Sequence, residues 1–181
     1  MIKENNQEKS MRSFYILWVG QFLSIFASRM TWFAITLWAW ELTGTATALV
    51  LVGVAYSLPA AIFSPFAGAL IDRWNRKLII MLSDFSAALS TFILLILFAT
   101  DSIEIWHLYL AGAFTGIFGS FQYPAYASVI TTMVPKEQYS RANSLRSIID
   151  SASGIGAPLL AGVLITFLEI SGIMVIDLIT F

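Results

Sequence analysis

The sequence contains no cysteine and a single histidine, His107. Disulfides, thiolate metal sites and Cys–His catalysis are thereby excluded, as is a metal centre built on several histidines. Charge is scarce as well: 12% of the residues are Asp, Glu, Lys or Arg, against about a quarter in a soluble domain. The net charge of −1 offers no basic footprint for nucleic acid. No Walker-type phosphate loop is present, so ATP-driven work would need a separate subunit. No polar catalytic cluster stands at a membrane interface, and an integral membrane enzyme is not expected. Neither a metal nor a cofactor is expected.

Apolar residues are abundant. They make up 58% of the chain, and the mean hydropathy is +0.80. So few charges cannot cover a body of this size in water, and lipid is its natural solvent. The fold class expected is all-α and integral to the membrane. A polar segment, 1–12, carries Lys3, Lys9 and Arg12. The apolar run after it is longer than the ~7–15-residue core of a secretory signal, so it reads as a retained membrane helix.

A spanning helix needs roughly 20 mostly apolar residues. Such segments lie near 13–42, interrupted by Arg29, near 45–71, and near 77–100, with Asp84 inside. Others lie near 105–131 and near 140–167, the latter carrying Arg146 and Asp150. A last one starts near 171; to residue 181 it spans about half of a ~30 Å hydrocarbon core at 1.5 Å per residue. Together, 13–181 form a transmembrane helical domain.

Orientation follows from the basic residues. Lys3, Lys9, Arg12, Arg73, Arg76, Lys77, Lys136, Arg141 and Arg146 all fall on one side of this arrangement. The opposite loops carry Glu41, Asp101, Glu104 and Glu169, with no Lys or Arg. The positive-inside rule then places the N-terminus in the cytoplasm. Trp38, Trp40, Trp106 and Tyr109 mark the outer helix ends, where such rings favour the interface. His107, beside them, suits a polar headgroup environment. Gly44 suits a helix C-cap.

The stretch Gly68-Ala-Leu-Ile-Asp-Arg-Trp-Asn-Arg-Lys77 is a tight, basic turn between two helices. Gly68 allows close helix approach. Asp72 sits where a helix dipole or a cation compensates it. Asn75 tolerates left-handed backbone. Arg76 and Lys77 can meet anionic headgroups. This turn resembles the loop signature of the major facilitator superfamily, Gly-x-Leu-x-Asp-Arg-x-Gly-Arg-Lys, with Asn75 in place of the second glycine. In that family the motif governs the inward/outward switch, and the resemblance assigns this to Gly68, Asp72, Arg73, Arg76 and Lys77. Leu58-Pro59, Ser64-Pro65, Phe121 to Ala125 with Pro124, Val134-Pro135 and Ala142-Asn143-Ser144-Leu145 look like the macrolide-efflux-like branch, which also holds relatives of siderophore exporters.

Ser153 to Gly162 is similar to the family's helix 5 antiporter motif, Gly-x-x-x-Gly-Pro-x-x-Gly-Gly, with Ser153, Ala157 and Ala161 replacing glycines. Gly154, Gly156, Pro158 and Gly162 would act as a hinge and seal; ordinary small-residue packing explains them equally. The fourth helix lacks the arginine that many proton-coupled members carry. Gly112, Gly116 and Gly119 give it a smooth packing face, and Pro124 is placed to kink it.

Four charges remain at membrane depth: Arg29, Asp84, Asp150 and Asp177. Ionisable groups there are costly, so they face a cavity and pair. Arg29 shares a helical face with Gln21, Ser24 and Ser28, and Asp150 is placed to pair with it. Asp84 and Arg146 form a second candidate pair at shallow depth. Asp177 is placed toward the outer half of its helix. Gln21, Ser28, Arg29, Asp150 and Asp177 are thus candidates for binding substrate or coupling ions, with structural ion pairing as the other reading.

The resemblance implies the N-terminal six-helix bundle of a major facilitator fold, truncated within its sixth helix. It implies proton-coupled secondary efflux of small amphipathic compounds, such as macrolide-like drugs, by alternating access. The partners would be the lipid bilayer, a small-molecule substrate and a missing C-terminal six-helix half, in the plasma membrane. The alternative is a non-transporting remnant or obligate partner half.

Overall fold

Each helix boundary follows from local chemistry. A computed structural model describes residues 11–71 and 74–181 of the chain. The first helix, α1, runs Met11–Thr43 and so begins within the polar segment 1–12. Gly44 ends it at φ 61°, with its N–H donating to the carbonyl of Trp40 at 2.7 Å. Only glycine adopts that left-handed backbone at no steric cost. Helix α2 runs Ala46–Ile71 and carries Pro59 and Pro65. Helix α3 runs Arg76–Ala99, capped by Asn75, whose side chain accepts from the N–H of Lys77 at 3.0 Å. That satisfies one of the orphan donors of a helix start.

Helix α4 runs Ile105–Met133. His107, expected only to sit among headgroups, has a local task here. Its Nδ1 accepts from the backbone N–H of Glu104 at 2.9 Å and ties down the helix start. A 3₁₀ turn at Lys136–Gln138 leads into a long helical stretch, Tyr139–Thr180. This stretch is two helices joined at Glu169, labelled α5 (139–168) and α6 (170–180).

Glu169 holds φ 56° and ψ −179°, a conformation almost reserved for glycine. The chain reverses there, and Ile173 of α6 packs with Ala157 and Ala161 of α5. The reversal is tight. A Cβ on Gly172 would lie 2.7 Å from the Cβ of Leu168. Glu169→Gly is expected to remove about 1–3 kcal/mol of backbone strain at an entropic cost of about 0.5–1 kcal/mol. The net outcome expected is a rise of a few degrees in the melting midpoint of the detergent-solubilised protein. An unchanged or lowered midpoint would contradict it.

Small residues set the packing. Met30, Ala34, Ala157, Ala161 and Ile173 form one core patch joining α1, α5 and α6. Ile35, Ala39, Val52, Leu94, Leu108 and Met174 form another at one end of the bundle. Phe14, Tyr126, Ile130, Val134 and Ala142 close the other end. Along α4 the glycine face meets α2. A Cβ on Gly112 would touch Ala55, one on Gly116 would collide with the carbonyl oxygen of Tyr56, and one on Gly119 would lie 3.0 Å from the Tyr56 hydroxyl.

The outer surface is apolar. Ile16, Phe66, Phe85, Leu110, Ile155, Phe167 and Ile179 are all exposed. Such a surface fits hydrocarbon rather than water. Four described stretches are long and apolar enough to cross a membrane: Met11–Thr43, Ala46–Gly68, Lys77–Ala99 and Lys136–Thr180. Helix α4, also expected to span, falls short on apolarity. Its Thr115 is buried and its Gln122 bonds to α3, so these polar groups meet protein rather than lipid.

Candidate functional site

The six helices enclose a cavity of about 570 Å³. Five helices contribute to its wall, Ser28, Arg29 and Trp32 from α1, Tyr56 from α2, Asp84 from α3, Gln122 from α4, and Arg146 and Asp150 from α5, and Phe181 adds to it just after α6. Polar and charged groups thus line a space inside a bundle whose outer surface is apolar. Helix α3 joins the wall through Ser83, Asp84 and Ala87.

Arg29 and Asp150 meet. One guanidinium nitrogen of Arg29 donates to the Asp150 carboxylate at 3.1 Å, the other to its backbone carbonyl at 2.6 Å. Gly154, one turn further along α5, leaves room for this guanidinium: a Cβ there would lie 3.3 Å from it. The second carboxylate oxygen of Asp150 accepts from Nε of Arg146 at 3.4 Å. The Arg146 guanidinium lies 4.7 Å from the centre of the Tyr126 ring, within cation–π range. Two arginines on two helices therefore share one carboxylate.

The expected pairing of Asp84 with Arg146 does not form. Arg146 turns to Asp150, one helical turn along its own helix. Asp84 is held by neutral amides instead: Gln21 Nε2 donates at 3.2 Å and Gln122 Nε2 at 2.8 Å. Gln21 is buried and sits behind Asp84 rather than in the cavity wall. Asp177 is likewise behind the wall, 1% exposed. It accepts from Ser28 Oγ at 2.9 Å and Thr91 Oγ1 at 3.1 Å. The sequence places it toward the outer half of its helix. The structure brings it against Ser28, near the middle of α1, because the turn at Glu169 folds α6 back along the bundle.

Other expected positions are more dispersed. Gly156 leaves room for Phe26, whose ring a Cβ there would meet at 3.0 Å, while Gly162 faces open space. Pro158 lies within the helix, and the non-helical residue of this stretch is Glu169. In the switch loop, Gly68 ends α2's apolar run with open space around it, and Lys77 is exposed at the start of α3. Asp72 and Arg73 lie outside the described residues, as does the side chain of Arg76. Gln122, Thr91, Tyr56 and Trp32 are site residues that a search for formal charge passes over. Gln122 stands out in hindsight as the amide in a helix with no Lys, Arg, Asp or Glu.

The model of the Major Facilitator Superfamily matches residues 17–181. The chain belongs to that superfamily. It is 30% identical over 164 residues to macrolide efflux protein A of Streptococcus pyogenes, a match covering 91% of this chain and 40% of that protein. It is 30% identical over 159 residues to the uncharacterized MFS-type transporter YfiS of Bacillus subtilis, covering 88% of this chain and 36% of that protein. Multidrug resistance protein MdtG of Proteus mirabilis is 31% identical over 165 residues, covering 88% of this chain and 39% of its own. The chain thus spans about two fifths of the length of these relatives. No solved structure matches it. This major facilitator chain is a multi-pass membrane protein.

Proposed function

We propose that this chain supplies one wall of a secondary active exporter of small amphipathic compounds, working by alternating access and coupled to protons. The observation that carries the reading is the cavity itself. It brings Arg29, Asp84, Arg146 and Asp150 into one space inside a bundle with an apolar exterior. Charges that line a cavity inside a membrane bundle mark substrate and ion pathways. Aromatic faces from Trp32 and Tyr56, with ring centres 6.2 Å apart, suit an amphipathic guest. Relatives named for macrolide efflux and multidrug resistance support the direction of transport and the class of cargo. A second helical half would close the cavity, with the N-terminus in the cytoplasm and the protein in the plasma membrane.

The test is efflux of a drug panel by the full-length protein in cells, with and without a proton uncoupler. Macrolide-like and other amphipathic compounds are expected to accumulate less in expressing cells, and the uncoupler is expected to abolish the difference. Export that survives the uncoupler would reject proton coupling. No export of any compound would reject the transport reading.

A second reading has support from one observation. Helices α2 and α5 leave long apolar faces exposed, including Leu58, Ile62, Phe66, Ile155, Leu159 and Val163. A chain that functions only by assembling with another membrane bundle would need such faces. These 181 residues, reconstituted alone in liposomes, would then move no substrate.

A further inference from the structure

We propose that Asp84 is the counter-ion for a single protonated amine on the compound bound in the cavity. The site therefore selects amphipathic monocations over neutral compounds of the same shape. This deepens the transport reading, on which it rests, by naming the charge of the cargo.

The two carboxylates that line the cavity are in different states. Asp150 is claimed by Arg29 at 3.1 Å and by Arg146 at 3.4 Å. Its charge is answered within the protein. Asp84 is met by two amides, Gln21 and Gln122. Among the described residues no basic side chain forms an ion pair with it. Amide N–H groups orient a carboxylate but leave its charge in place. A carboxylate offers about four acceptor positions, and the two amides use two of them. The others remain for a guest.

The amides come from different helices than Asp84, one from α1 and one from α4. They fix the carboxylate at the cavity wall, which lowers the ordering cost of binding. Trp32 and Tyr56 line the same space. Their π faces attract a cation and shelter the apolar body attached to it. Both arginines of the cavity are engaged by Asp150, Arg146 also lying against the Tyr126 ring. Gln21 and Arg29 are eight residues apart on α1, so the Asp84 clamp and the Arg29 pair are separated by about 12 Å along the helix. An amphipathic monocation fits this division, with its amine at Asp84 and its apolar body along the aromatic wall.

The experiment is equilibrium dialysis on purified full-length protein at neutral pH with daunorubicin, whose amine is protonated, and N-acetyl-daunorubicin, which is neutral. The wild type is expected to bind the amine at least about tenfold more tightly, as a charge-assisted hydrogen bond implies. Asp84→Asn should bind both compounds as the wild type binds the neutral one, and Asp84→Glu should keep the preference. Equal binding of the pair by the wild type, a preference that survives in Asp84→Asn, or no binding of either compound would overturn the proposal. Loss of the neutral compound in Asp84→Asn would make Asp84 a structural residue and also overturn it. Charge-selective binding without energised efflux would sink the transport reading and leave this inference standing.

Discussion

Gly116→Ala is expected to lower the melting midpoint of the detergent-solubilised protein by about 10 °C, equivalent to at least about 3 kcal/mol. The reason is that α2 and α4 touch backbone to backbone at this point. An added Cβ would collide with the carbonyl oxygen of Tyr56 and sit 3.0 Å from its carbonyl carbon. Neither atom can rotate away, so the two helices must part. Parting them displaces Tyr56 from the cavity wall as well. The neighbouring glycines give an internal scale. Gly119→Ala meets only the Tyr56 hydroxyl at 3.0 Å, a flexible end that can move. Gly112→Ala makes ordinary contact with Ala55 at 3.4 Å, and Gly53→Ala meets nothing within 4 Å. The expected order of damage is therefore Gly116, then Gly119, with Gly112 and Gly53 near neutral. Equal effects at all four positions would show that interhelical contact does not set the cost, since helix propensity alone favours alanine at each of them by about 1 kcal/mol.

That glycine face is legible in the sequence, because three glycines at near-helical spacing leave a groove on any helix. The helix boundaries are legible for a similar reason. Apolar runs of spanning length, punctuated by Gly44, Asn75 and Pro135, admit few other divisions. The pairing of Arg29 with Asp150 follows from matching depths along two parallel helices. The same matching fails for Asp84. Depth alone points to Arg146, but Arg146 has an acid one turn away on its own helix, and Asp84 has two amides that carry no formal charge. Charge counting cannot see an amide clamp. The position of Asp177 is out of reach for a different reason. Its depth depends on where α6 begins, and that is set by the turn at Glu169, a residue with no intrinsic preference for the backbone it adopts. Helix α4 shows the converse limit. Hydropathy understates it because its polar residues face other helices.

Asp150→Asn is expected to cut export by the full-length protein at least about tenfold while leaving its melting midpoint within a few degrees of the wild type. The two effects separate because the geometry separates them. Asparagine keeps the shape of the side chain and an oxygen that Arg29 can reach. Arg29 also retains its shorter contact, 2.6 Å to the backbone carbonyl of residue 150. What is lost is the charge that answers two guanidinium groups at once. Both partners of the Arg29–Asp150 pair are partly open to the cavity, with side-chain exposures of 38% and 44%, so solvent limits the cost to stability. The proposed transport has no such protection, since a neutral amide no longer balances the two guanidinium groups in the cavity. The structural reading of the pair makes the opposite prediction: stability falls, and the protein that survives exports normally. Exchanging the charges, Arg29→Asp with Asp150→Arg, sharpens the distinction. A purely structural pair would regain the part of the stability that the Arg29–Asp150 contact supplies, short of the lost Arg146–Asp150 contact, and export would return in step with it. A coupling site would not regain export, because the exchange moves the acid to α1 and leaves Arg146 facing an arginine on its own helix.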